Sequence, residues 1–82
     1  MHQVKQLEVR EGYELHLLFE DGRSKTINIE PFIGKGFTDE LLSLEEFKKA
    51  FIEPGGGVAW PNGFDLCPNF LYELQPSENS LA

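Results

Sequence analysis

The sequence predicts a small α+β domain: a three-stranded antiparallel meander plus a short second hairpin, packed with one or two short helices. Three observations carry that expectation. Apolar and polar residues alternate with period two across residues 1–30, a helix-start signature follows at Ser43 and Glu46, and Pro54 with Gly55, Gly56 and Gly57 then cuts the chain into very short extended pieces. A chain of 82 residues has room for one core and no interdomain cleft. At about 0.05–0.15 kcal/mol per residue its net stability falls near 4–12 kcal/mol, so the loss of a single core aromatic is a large perturbation.

In the meander, Leu7, Val9, Tyr13, Leu15, Leu17, Phe19, Ile27 and Ile29 share one parity, and Glu8, Glu14, His16, Ser24, Thr26 and Asn28 the other. Arg10-Glu11-Gly12 and Glu20-Asp21-Gly22 read as turns closed by a left-handed glycine. A two-residue turn at Asp21-Gly22 would pair Leu15 with Asn28 and put Ile27 and Ile29 on the wrong face. A three-residue loop instead pairs Phe19 with Arg23, Leu15 with Ile27 and Tyr13 with Ile29. The same rule at the first turn pairs Val9 with Tyr13 and Leu7 with Leu15.

The apolar face of such a sheet needs a cover. Glu30-Pro31 ends the third strand, and Phe32, Ile33 and Phe37 fall among glycines in an irregular turn that folds back over it. Ser43 with Glu46 forms a capping-box pattern, and Leu42 with Phe47 the matching staple, so a short helix is expected with Phe47, Ala50 and Phe51 on one face. Phe51 to Glu53 and Val58 to Trp60 then flank a glycine turn as the second hairpin. Asn62-Gly63 is a further turn, and Cys67-Pro68 opens a last helix whose apolar side is Phe70, Leu71 and Leu74. Residues 1–74 are expected to form one domain and residues 75–82 a frayed tail.

Composition bounds the function. The chain is 40% hydrophobic, 12% aromatic and 26% charged, a globular balance, with a net charge of −7 and no basic residue after Lys49. Seven scattered cations cannot easily build the basic face that phosphate contact requires, so direct nucleic-acid binding and anionic membrane surfaces are disfavoured. A single cysteine, Cys67, forms no intramolecular disulfide, and residues 1–10 hold no signal-like apolar core. A cytoplasmic protein is expected, and no apolar run reaches the ~20 residues needed to span a bilayer.

Few residue groups point to chemistry. The triple glycine lacks the Gly-Lys-Ser/Thr ending of a phosphate loop, and Val58-Ala59-Trp60 follows it, so it reads as a turn. His2 and His16 have no cysteine or carboxylate at ligand spacing. Cys67 would act as a nucleophile only beside a base. Asp39-Glu40 and Glu45-Glu46 read as solvated acids, the second pair favourably placed in the first turn of a helix. No catalytic residue, metal ligand set or cofactor follows. Residues 60–65, Trp-Pro-Asn-Gly-Phe-Asp, gather the only tryptophan, a rigid turn, an amide and a carboxylate. One reading makes this a structural corner with Trp60 plugging the core. The other makes Trp60, Asn62, Asp65 and the following Tyr72 a partner- or ligand-binding rim, since exposed Trp and Tyr are common interface anchors.

The Phe19-Glu20-Asp21-Gly22 turn, the strand end at Glu30-Pro31, the Phe47 helix, Trp60-Pro61-Asn62-Gly63, Asp65-Leu66, Pro68 and Leu71-Tyr72-Glu73 together resemble the domain of unknown function 2442 family, up to Leu74. Similar sequences more often carry serine where Cys67 stands. The resemblance implies a compact bacterial α+β fold with no established activity and no catalytic residues to carry over. Some similar chains continue into a helix-turn-helix, which this acidic domain does not offer. Others are encoded beside a second small protein, which implies toxin-antitoxin-like pairs. The expected function is therefore an acidic protein–protein interaction module, with homodimerisation through an uncovered sheet edge or apolar face as a further possibility. The alternative is a small-ligand binder or minor enzyme using the Trp60 to Tyr72 corner.

Overall fold

The computed structural model describes residues 2–34 and 36–74, with the side chains of Phe37 and Thr38 left aside. The tail expected over 75–82 and the covering role expected of Phe37 lie outside the described residues. The described residues form an α+β fold of two antiparallel three-stranded sheets and two short α-helices. Strands β1 (Val4–Arg10), β2 (Glu14–Phe19) and β3 (Ser24–Asn28) make the first sheet, in that order. Strands β4 (Phe51–Ile52), β5 (Val58–Ala59) and β6 (Asp65–Leu66) make the second. Helix α1 spans Leu44–Phe47 and helix α2 Pro68–Glu73. The anticipated second hairpin is present, with Phe51 opposite Ala59 and Ile52 opposite Val58, and β6 extends it by one strand.

The β2–β3 register follows the three-residue loop, with Leu15 opposite Ile27 and the Phe19 N–H donating to the Arg23 carbonyl at 2.8 Å. The β1–β2 register differs from the expected one. Val9 pairs with Leu15 and Leu7 with Leu17, because the turn is Glu11-Gly12-Tyr13, with Gly12 at φ 72° and Tyr13 itself at φ 64°. The displacement is two residues, so side-chain parity survives and the same face stays apolar. A bulge between Val4 and Gln6 then reverses parity at the start of β1 and turns Val4 into the core.

The core is built from that face: Leu15, Leu17, Phe19, Ile27 and Ile29 are each at most 1% exposed. Ile33, Leu41 and Phe47 cover it from the connection and α1, Val58, Trp60 and Leu66 from the second sheet, and Leu71 from α2. The Val4 N–H donates to the Gly56 carbonyl at 2.8 Å, tying the two sheets together. The capping box does not form. Ser43 sits at the N-cap with extended backbone and no side-chain cap bond, while Glu46 pairs with Lys49 at 3.1 Å. Helix α1 is only four residues long, so Phe51 leaves the helical face assigned to it and enters β4, 45% exposed.

Lys25 lies at an apolar-parity position, opposite Leu17. Its stem follows the edge of the core, and its Nζ donates to the Tyr72 carbonyl and, at 2.7 Å, to the Leu74 carbonyl. The last turn of α2 is thus capped by a cation from β3, the sign that suits a helix C-terminus. Burial lowers the Lys25 pKa from the ordinary lysine value. Lys25→Met keeps the stem and removes the donor; we expect it to destabilise the fold by about 1–2 kcal/mol, read as a lower urea midpoint at unchanged slope.

Candidate functional site

The 60–65 segment is a closed corner. Trp60 follows β5 and is 2% exposed, with its indole N–H donating to the Phe47 carbonyl at 2.9 Å. Its ring packs against Phe47 and Phe64 at centroid distances of 5.6 and 5.5 Å. The turn is held by the Gly63 N–H on the Trp60 carbonyl at 3.0 Å and the Trp60 N–H on the Phe64 carbonyl at 2.9 Å. The Asn62 side-chain oxygen accepts from the Phe64 N–H at 3.1 Å. Asn62 is half-buried and Asp65, in β6, is exposed. Trp60 therefore plugs the core, while Asn62 and Asp65, beside the exposed Pro61 and Gly63, stay within reach of a partner.

Tyr72 faces a different set of groups. It lies on α2 with its hydroxyl donating to Asp21 Oδ2 at 2.6 Å, in the β2–β3 turn. His2 stacks on its ring at 3.7 Å, Phe19 meets it edge-on at 5.0 Å, and the Arg23 guanidinium lies 5.8 Å from its centroid. Tyr72 thus pins the N-terminal segment and the hairpin turn to α2. The hydrogen bond from Tyr72, helped by the Arg23 backbone N–H, lowers the Asp21 pKa, and the same bond raises that of Tyr72.

These shifts set a pH dependence. The stability that the Asp21 carboxylate contributes is fully present above the ordinary value of 3.8 and is lost as pH falls through the lowered folded value. The stability that the Tyr72 hydroxyl contributes is fully present below 10.0 and is lost as pH rises through the raised folded value. Tyr72→Phe removes the tyrosine contribution and the largest cause of the Asp21 shift while leaving Asp21 its bond from the Arg23 N–H, so its thermal midpoint, followed from about pH 2 to about pH 11, should vary less than that of the wild type at each end.

Other surfaces carry apolar side chains. Phe32 and Phe70 form an exposed edge-to-face pair at 5.4 Å, a feature the sequence reading missed by assigning Phe32 to the sheet cover. A cleft of about 710 Å³ opens between the end of β1 and α1, over Val9, Leu44 and Phe47, with Arg10 and Lys48 at its rim. Arg10 is paired with Glu8 at 3.1 Å. Cys67 is exposed at the N-cap of α2 and makes no side-chain cap bond. Among the described residues no group of three His, Cys, Asp or Glu side chains could hold a metal ion, and no helix is long and apolar enough to cross a membrane.

A family described as "Protein of unknown function (DUF2442)" matches residues 4–77. No curated protein and no solved structure matches the chain.

Proposed function

The chain belongs to the DUF2442 family of proteins of unknown function, and on that premise we propose that it is a protein–protein interaction module. In its finer form the proposal makes it the neutralising member of a toxin-antitoxin-like pair in a bacterial cytoplasm. One observation carries it: Phe32, Leu42, Leu44, Phe51, Ile52 and Phe70 stand 36–51% exposed on a small chain of net charge −7. Apolar surface among acidic groups is a surface for recognition rather than for chemistry. The ligand-binding alternative at the Trp60 to Tyr72 corner is disfavoured by the spent indole N–H of Trp60 and by the bond that commits Tyr72 to Asp21.

Affinity capture from cells at physiological salt tests the reading, with the retained protein then purified and the pair reconstituted. Asn62→Ala and Asp65→Ala probe the turn and Phe70→Ser the aromatic pair, each after circular dichroism shows a folded chain. A purified partner that binds the wild type and loses about tenfold in affinity with one folded variant supports the module. Recovery of no specific partner, or of this chain alone, overturns it.

A further inference from the structure

Building on the reading of the chain as an interaction module, we infer that its docking surface is a ridge of Phe70, Phe32 and Leu42, and that the occupant is a basic amphipathic segment of another protein. Two packing contacts define the ridge. Phe70 on α2 meets Phe32 edge-to-face at 5.4 Å, and the two rings are 38% and 37% exposed. Two residues beyond Phe32, the Leu42 side chain lies over Gly34, so close that a Cβ on that glycine would fall 3.3 Å from Leu42 Cδ1. Leu42 itself is 41% exposed, and its carbonyl accepts a hydrogen bond from the Tyr13 hydroxyl, which fixes this end of the ridge to the meander.

Charge selects the occupant. Three elements carry the ridge: the 3₁₀ turn Glu30–Phe32, the 3₁₀ helix Gly36–Leu42 and α2. They contain Glu30, Asp39, Glu40 and Glu73 and no Lys or Arg, and the sequence joining the two 3₁₀ elements adds one cation, Lys35, so acids outnumber cations four to one. Residues three apart eclipse one another in a 3₁₀ helix, which sets Asp39 on the edge of Leu42. They are neighbours on an α-helix, which sets Glu73 beside Phe70. Of the cations described near α2, Lys25 is committed to the Tyr72 and Leu74 carbonyls and the Arg23 guanidinium lies over the Tyr72 ring. A complementary segment therefore brings apolar side chains for the ridge and cations for its margins. A second copy is disfavoured, because a two-fold contact would set this mainly acidic face against an identical one.

The test is a titration of the ¹⁵N-labelled full chain, followed by amide chemical shifts, with three synthetic helical peptides. One is amphipathic Leu/Lys, one replaces Leu by Ser at the same charge, and one replaces Lys by Glu at the same apolar pattern. The inference expects the Leu/Lys peptide to shift the amides of Phe32, Gly34, Leu42 and Phe70, and to bind about tenfold more tightly than either control. Phe32→Ser should weaken it about tenfold, and Asp39→Lys, which leaves the apolar packing intact, should weaken it severalfold whether or not Phe32→Ser folds well. Equal binding of the Ser/Lys peptide, with shifts spread over all carboxylates, overturns the ridge in favour of unspecific charge attraction. Shifts centred on Val9 and Leu44, or on Asn62 and Asp65, overturn the ridge while leaving the interaction reading standing. Concentration-dependent broadening at the ridge without peptide makes the occupant a second copy and overturns the inference. The absence of any shift overturns it as well, and the interaction reading is then decided separately by the reconstituted partner.

Discussion

Replacing Trp60 by alanine is expected to leave the protein unfolded or close to it at room temperature. The indole is 2% exposed, in contact with Phe47 and Phe64, and shares the Phe47 carbonyl with the Ala50 N–H as its second donor. Truncating a buried aromatic costs about 3–5 kcal/mol, and the lost indole hydrogen bond adds about 0.5–1.5 kcal/mol. A domain of this length has only about 4–12 kcal/mol to lose. Trp60→Phe separates the two terms, since it keeps most of the volume and removes only the donor. Urea denaturation followed by circular dichroism should place Trp60→Phe between the wild type and Trp60→Ala.

Gly57→Ala is expected to be damaging too, though less so, for a reason of space rather than of conformation. A Cβ at Gly57 would lie 2.4 Å from the Leu66 carbonyl oxygen, 3.0 Å from a Glu53 carboxylate oxygen and 3.1 Å from Pro68 Cδ. The nearest of these is backbone of β6, paired with β5 through Val58 opposite Leu66, so relief of the clash must break or displace that ladder. Overpacking of this kind costs about 1–3 kcal/mol. Because β6 leads directly into α2, the loss should appear first as faster hydrogen exchange at the Leu71 and Leu74 amides, whose acceptors are the Cys67 and Phe70 carbonyls. The same exchange rates in Gly63→Ala, where nothing lies within 4 Å of the added Cβ, control for the strain of a substituted turn glycine.

The parts of the fold legible in the sequence are those set by local rules. Period-two parity identified the core face of the meander, and the Glu20-Asp21-Gly22 turn fixed the β2–β3 register. The first register was not legible, because Tyr13 adopts φ 64°, a conformation bulky residues rarely take. The bulge that buries Val4 was equally hidden, since its N–H is taken by Gly56, more than fifty residues away. A strand of two residues such as β6 has no periodicity to read.

The candidate site divides in the same way. That the Trp60 segment makes a corner was legible from its turn residues. That Trp60 itself turns inward depended on the Phe47 carbonyl, thirteen residues back. The exposure of Phe32 and Phe70 depends on the meeting of two elements far apart in the chain, and no local pattern announces it. Lys25 did leave a signal: a cation at core parity, beside Ile27, is a group that must reach a partner at the edge of the core.

On the proposed reading, stability and recognition fall to different aromatic residues, Trp60 to the interior and Phe32 with Phe70 to a partner. Acrylamide quenching of the single tryptophan, with and without the Leu/Lys peptide, tests that division most directly. Trp60 should be shielded in the native protein, equally shielded with peptide bound, and fully quenchable only in urea. A Trp60 that is readily quenched in the native state, or becomes protected only when the peptide binds, would return recognition to the Trp60 corner and contradict the division.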